Sequence, residues 1–290
     1  MTMIICAVAV DQVVMVSDRR ATNPTKIGSE IENKAVVLNN QWVLGYTGLV
    51  DIEGTPTDRW VVEALAGVAP EDYFRTLAAR ATNALMGVDR KDRRQAFLVA
   101  GWLTPPEGAR PIAVEIANFN YDDQGRPTAA GDRLTIRKLN TPPEEVSVFS
   151  AGRRLRRAEK SSVETTLREI SRTSAHPLDI AAVLGDRIRD RARSDRGVGS
   201  NLMVVSIPKV AVGRPLSWVS QREAWRQEIC AAYVGVDDDC FQYMPALVLP
   251  GVAFSDAWMS SDPTSYPLGP LERRPLPLRD GGIPPRPGGA

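Results

Sequence analysis

Histidine is nearly absent from this chain: His176 is the only one in 290 residues. That scarcity removes histidine-based catalytic triads unless His176 itself serves, and its place before Pro177 in a loop reads as structural. Cysteine is scarce too. Cys6, Cys230 and Cys240 are an odd number at unrelated spacings, which excludes a disulfide framework and a cysteine-ligated metal site. Such usage points to a reducing, cytoplasmic setting, with Cys6 a small core residue inside an apolar run. Charge of one sign is not in excess: 36 Lys and Arg face 35 Asp and Glu, for a net charge of +1. No global field therefore draws the chain to nucleic acid or to an anionic membrane. No apolar run approaches the roughly 18 residues that span a bilayer. The start has no basic flank, and Asp11 ends its first apolar run early, so no signal peptide is expected. No metal-ligand cluster and no internal repeat is visible, so no metal and no cofactor is expected.

The rest of the composition is ordinary for a soluble globular chain, at 43% hydrophobic and 24% charged residues. Ile4 to Val10 and Val13 to Asp18 are short, β-branched apolar runs that predict two buried strands. Ala35 to Leu38 and Trp42 to Tyr46 predict a second pair around an Asn39-Asn40 hairpin turn. Helices are expected from Asp58 to Leu65 and from Pro70, with Phe74, Leu77, Ala81 and Leu85 at helical spacing. Strands are expected over Gln95 to Trp102, Ile112 to Asn120, Leu134 to Leu139 and Val146 to Ser150. The period then changes. Leu155, Val163, Leu167 and Ile170 mark one helix, Leu178, Ala182, Ile188 and Ala192 a second, and Asn201 to Ile207 a return strand. Strands with adjacent helices in this order fit a layered α/β sandwich.

Function is carried by the first 48 residues. A hydroxyl residue, Thr2, directly follows Met1. Removal of Met1, which is favoured before a small residue, would leave a free α-amine beside the Thr2 hydroxyl, so one residue would hold both nucleophile and base. An α-amine titrates near about 7.7–8.0, and a neighbouring ammonium lowers that value. Many chains start Met-Thr to no purpose, so Thr2 gains weight only from the residues downstream of it: Asp18-Arg19-Arg20-Ala21-Thr22, then Lys34, then Gly45-Tyr46-Thr47-Gly48.

In these residues the chain resembles the proteasome-type threonine peptidases, the β subunits of the 20S proteasome and their simpler bacterial relatives. With Thr2 counted first, each element falls at that family's spacing, and the match runs to about Ile207. The resemblance implies that Thr2 attacks a peptide carbonyl and that Asp18 and Lys34 sit beside it as a buried pair. It implies that the Gly48 amide faces the developing oxyanion and that the Thr22 backbone pairs with an extended substrate. Ser150 and Asp195 would support the nucleophile. Ala21, Thr22, Glu32, Val36, Tyr46 and Val50 would contact substrate, a mixed lining that names no preferred side chain. The implied fold is α+β, a four-layer αββα sandwich of two antiparallel sheets, the N-terminal nucleophile hydrolase fold, with a C-terminal extension. The chain departs from the pattern where Ala151 and Val198 stand at positions the family gives to serine.

The expected organisation is a hydrolase domain over 1–209, an extension over 210–259 that packs on the domain or on a neighbouring subunit, and a Pro/Gly-rich disordered tail over 260–290. Half of the 22 prolines lie beyond Lys209. A helix is expected from Ser217 to Cys230. Arg153, Arg154, Arg156 and Arg157 read as a surface or subunit contact, and Arg187 to Arg193 as a salt-bridged solvent face. The function expected is a threonine endopeptidase acting on peptides or unfolded proteins within a homo-oligomeric ring, without nucleic-acid or membrane partners. Two alternatives keep the fold: a catalytically silent ring subunit, and an amidase acting on a small metabolite.

Overall fold

The structure, a computed structural model, describes residues 2–20, 22–23, 26–27, 32–172, 176–214, 225–235, 240–242, 245–249 and 252–254. In chain order the strands begin with β1 (Met3–Val8), β2 (Gln12–Asp18), β3 (Thr22–Asn23), β4 (Lys26–Ile27), β5 (Ala35–Leu38), β6 (Trp42–Thr47), β7 (Asp51–Ile52) and β8 (Thr55–Pro56). Helices α1 (Thr57–Leu65) and α2 (Tyr73–Leu85) follow, the second led in by a 3-10 turn at Pro70–Asp72. Next come β9 (Ala96–Leu103), β10 (Arg110–Ala117), β11 (Thr135–Leu139) and β12 (Ser147–Gly152), then α3 (Arg157–Arg172) and α4 (Pro177–Ser194). The last strands are β13 (Leu202–Pro208), β14 (Cys230–Val234), β15 (Cys240–Gln242), β16 (Ala246–Leu249) and β17 (Val252–Phe254).

Two large sheets result. One has the order β12-β1-β2-β13-β14-β15, the other β11-β10-β9-β6-β5-β16-β17. Every residue of β1, β2, β5, β6 and β13 is buried. These strands read as unbroken apolar runs because both of their faces are covered. Met3, Ile5, Val14 and Val16 pack outward against Val163 and Leu167 of α3 and Leu184 and Ile188 of α4. Val36, Leu44, Tyr46 and Val99 pack against Trp60 and Val61 of α1 and Leu77 and Ala81 of α2. Between the sheets, Ile4, Cys6, Val13 and Met15 meet Val37, Val43, Leu98 and Ala100. The molecule is thus a mixed α+β fold of two packed sheets with helices on their outer faces. Among the described residues, no helix is long and apolar enough to cross a membrane.

One expectation of the fold is corrected. The sheets are not both antiparallel: β16 runs parallel to β5, with Ala246 opposite Val36 and Val248 opposite Leu38. A parallel neighbour needs a long connection, and here the strand comes from the C-terminal part of the chain. That part supplies strands to both sheets, β14 beside β13 and β16 beside β5. The helix expected over Ser217 to Cys230 lies largely outside the described residues, and Cys230 itself starts a strand. The tail over 260–290 also lies outside them. Asn39 and Asn40 both take positive φ, 51° and 49°, which is the turn chemistry that their sequence signals.

Candidate active site

The alternation along β1 sends Ile4 and Cys6 between the sheets and Met3 and Ile5 toward the helices. Thr2 continues the first set at the open end of the strand. Its side chain is 5% exposed, and its Oγ1 accepts a hydrogen bond of 2.6 Å from Lys34 Nζ. Lys34, 1% exposed, enters just before β5 and also donates to the Arg20 carbonyl. Asp18, fully buried at the end of β2, lies 3.5 Å from Lys34 Nζ. Two backbone amides hold the same carboxylate: Met3 N donates to Oδ1 at 2.9 Å and Gly199 N to Oδ2 at 2.8 Å. The carboxylate is thereby fixed from β1, from the turn before β13 and from Lys34. Burial pushes the Lys34 ammonium below the usual lysine pKa; Asp18 opposes that shift, and the Arg19 guanidinium adds to it.

The far wall of the corner comes from β6 and β12. Gly152 ends β12 with φ +78°, and a Cβ placed there would lie 2.0 Å from the Thr2 carbonyl oxygen and 2.8 Å from Thr47 Oγ1. Thr47 therefore stands beside the peptide of Thr2, which brings Gly48, its exposed neighbour, to the same corner. Gly48 has φ +123°, and a Cβ would meet the Arg94 carbonyl oxygen at 2.1 Å, so only glycine fits. The turn is held by Leu49 N donating to Gln95 Oε1 at 2.8 Å. Thr47 Oγ1 is buried and has no hydrogen-bond partner among the described residues.

Thr2, Asp18 and Lys34 are thus brought together, and Gly48 flanks them. Asp195 reaches Thr2 indirectly. Its Oδ2 lies 2.6 Å from Arg153 Nε, and Arg153 N donates to the Thr2 carbonyl at 3.0 Å. Ser150 lies elsewhere: it is paired with Ile5, and its hydroxyl accepts from Leu155 N at 3.0 Å, at the approach to α3. Ala151 is buried between the sheets, and Val198 against the helices.

The residues expected to contact substrate divide. Glu32 is partly buried near Lys34, with its carboxyl pushed up by burial and then by Asp58. Val36 and Tyr46 lie in the core under α1 and α2. Val50 accepts from Thr57 N at 2.9 Å, at the start of α1. Thr22 pairs with Ile27 in the β3–β4 ribbon, and Ala21 lies outside the described residues.

Several polar groups around the site left no signal in the sequence. The carbonyl of Arg20 and the amides of Met3 and Gly199 act through the backbone, which residue identity does not report. Gln95 and Tyr233 reach the site only through the folding of distant strands, and Asn33, next to Lys34, is tied there by tyrosines from both sheets. Other residues prove structural. His176 is the N-cap of α4, its Nδ1 accepting from Leu178 N at 3.2 Å. Arg153 pairs with Asp195 and Arg154 with Glu115, while Arg187 and Arg193 both reach Asp190 on the solvent side of α4. Burial in the inter-sheet core pushes the Cys6 thiol up, away from reactivity. Among the described residues no cluster of His, Cys, Asp and Glu could hold a metal ion.

No protein-family model matches the chain, and no curated protein matches it. Among solved structures it is similar to Anbu (ancestral beta-subunit) from Yersinia bercovieri, at 13% identity over 71% of this chain and 81% of that one, with a TM-score of 0.43. It is also similar to the Anbu (Gly-1) mutant from Hyphomicrobium sp. strain MC1, at 15% identity over 71% of this chain and 80% of that one, with a TM-score of 0.45. Both of these neighbours are Anbu chains and not 20S proteasome β subunits, which corrects the family resemblance drawn from the motifs. The physical reason is that the motifs kept intact, from Thr2 to Gly48, lie in the first 48 residues, so they constrain one corner of a fold and cannot separate whole chains that share it. At these identities and scores the likeness carries no residue's role across.

Proposed function

We propose that the chain is a threonine-type N-terminal nucleophile hydrolase that cleaves peptide bonds with Thr2 once Met1 has been removed. One observation carries the reading: Lys34 Nζ stands 2.6 Å from Thr2 Oγ1, with Asp18 behind it at 3.5 Å and all three side chains buried. A surface threonine has no use for a buried ammonium, and a buried ammonium is expensive unless it is paired and hydrogen-bonded. Donation from Lys34 stabilises negative charge as it grows on Oγ1. The Thr2 hydroxyl proton passes to the freed α-amine, which returns it to the leaving amine. The acyl group rests on Oγ1 as an ester until water releases it. Gly48 N serves as the fixed donor to the oxyanion. A homo-oligomeric ring, which would confine the site to unfolded chains, belongs to the same reading.

A second reading, a silent subunit of the same fold, is favoured by one observation. Ala151 and Val198 are fully buried apolar residues, so neither position offers the Thr2 amine a hydroxyl. One experiment separates the two. The purified protein is treated with a β-lactone electrophile and weighed intact. The hydrolase reading expects the mass without Met1 plus one adduct, mapped to Thr2 and absent in Thr2→Ala. Retention of Met1 removes the amine base and overturns it. Loss of Met1 without an adduct selects the silent subunit. An adduct with no turnover of peptides points instead to a small-molecule amide substrate.

A further inference from the structure

We infer that Tyr233, in the C-terminal part of the chain, is a positioning residue for the Lys34–Asp18 couple. Its ring carries the Arg19 guanidinium and its hydroxyl holds Asn33, the neighbours of Asp18 and Lys34 in sequence. The inference rests on the hydrolase reading above and adds to it a residue some 200 positions from the nucleophile's own motifs.

The placement comes from strand register. Met203 of β13 lies opposite Ser17 of β2 on one side and opposite Tyr233 of β14 on the other. Tyr233 therefore sits two strands across from the end of β2, level with Ser17 and one position short of Asp18. The Arg19 guanidinium carbon lies 3.4 Å from the centroid of its ring, a close cation–π contact. The Tyr233 hydroxyl donates to Asn33 Oδ1, while the Asn33 carbonyl accepts from the Tyr46 hydroxyl. Asn33 is thus gripped by one tyrosine from each sheet, at the point where the chain turns in to deliver Lys34.

The backbones of these two loops are already joined. Arg19 N donates to the Asn201 carbonyl at 3.0 Å, and Glu32 N donates to the Arg19 carbonyl at 3.1 Å. Lys34 Nζ donates to the Arg20 carbonyl. Tyr233 adds a side-chain tie to each loop, through Arg19 in one and Asn33 in the other. The charged groups around Lys34 are Asp18 of β2, Arg19 after it, and Glu32, with Asp58 of α1 behind Glu32. Arg19 is the cation in this set, and it lowers the proton affinity of Lys34. Without the ring the guanidinium loses this contact, and its hold on the proton affinity of Lys34 weakens.

The test uses the full chain carrying Tyr233→Phe, Tyr233→Leu, Arg19→Met, or Tyr233→Leu with Arg19→Met. Two quantities are read across pH: the rate of Thr2 acylation by the β-lactone, and the titration of Lys34 by NMR of protein labelled at the lysine amine. Tyr233→Phe keeps the ring and loses the Asn33 clamp; acylation is expected to slow by about tenfold with the Lys34 titration unmoved. Tyr233→Leu is expected to slow acylation and to move that titration up. Arg19→Met should reproduce the move, and adding Tyr233→Leu to it should produce no further one. Wild-type rates and titrations in both tyrosine variants overturn the proposal, as does a lowered melting temperature with neither change. If the wild type never acquires an adduct at Thr2, the hydrolase reading fails, and the Lys34 titration alone still decides the role of Tyr233.

Discussion

Lys34 is the residue on which the chemistry of the corner turns. Three oxygens surround its ammonium, from Thr2, Asp18 and Arg20, and it is almost completely buried. Replacing it by methionine keeps the volume but leaves Asp18 as a buried carboxylate facing only amides. Lys34→Met is expected to lower the unfolding free energy by about 3–5 kcal/mol, read by urea denaturation, and to slow Thr2 acylation by about 100-fold or more. The pH dependence has a definite sign. Because burial lowers the Lys34 pKa below its ordinary 10.5, the unfolded chain binds more protons than the folded one between the two values. Stability from this group therefore rises with pH through that window and is lost as pH falls through the folded pKa. Lys34→Met should flatten that slope. Acylation should follow a bell: it rises as the α-amine becomes neutral and falls as Lys34 loses its proton, at a pH below 10.5. An alkaline limb at or above the free-lysine value would show that Lys34 does not set it.

At the scale of elements, much was legible because each signal was local. The apolar runs of β1 and β2, the Asn39-Asn40 turn and the stripe of Leu77, Ala81 and Leu85 on α2 are written in neighbouring residues. The boundaries moved by a residue or two where a strand outlasted its apolar run. Gly152, for instance, still belongs to β12, and Pro208 to β13. The C-terminal strands were not legible. β14 and β16 are short, and the strands that join them to the two sheets, β13 and β5, stand more than twenty residues away or in the other half of the chain. Trp225, just before β14, is fully buried against the core shared by the first sheet and α3 and α4. Trp225→Ala is expected to lower stability by about 3–5 kcal/mol, measured by chemical denaturation. A loss under about 1 kcal/mol would show that this segment does not belong to the folding unit.

For the molecule as a whole, two sheets meet face to face and the site opens where their ends converge. Thr2 comes from the first sheet, Lys34 and Thr47 from the second, and Asn33 is held from both. Any shear between the sheets would pull the nucleophile from its ammonium. A ring of identical chains would brace that arrangement, and at a net charge of +1 copies can stack without strong mutual repulsion. Sedimentation velocity is expected to show a closed oligomer whose sedimentation coefficient does not change on dilution. A monomer near 31.7 kDa would remove the ring from the proposal.

By itself, the sequence determined the order of the longer strands and helices up to β13 and nominated Thr2, Asp18, Lys34 and Gly48, because short-range pattern and motif spacing survive in one dimension. Only the tertiary structure decided that the second sheet is mixed, that Ser150 turns toward Leu155 while Val36 and Tyr46 lie in the core, and that Tyr233 stands over Arg19 and Asn33. Those outcomes depend on register and on which face of a strand is covered, and both are settled by packing between segments far apart in the chain.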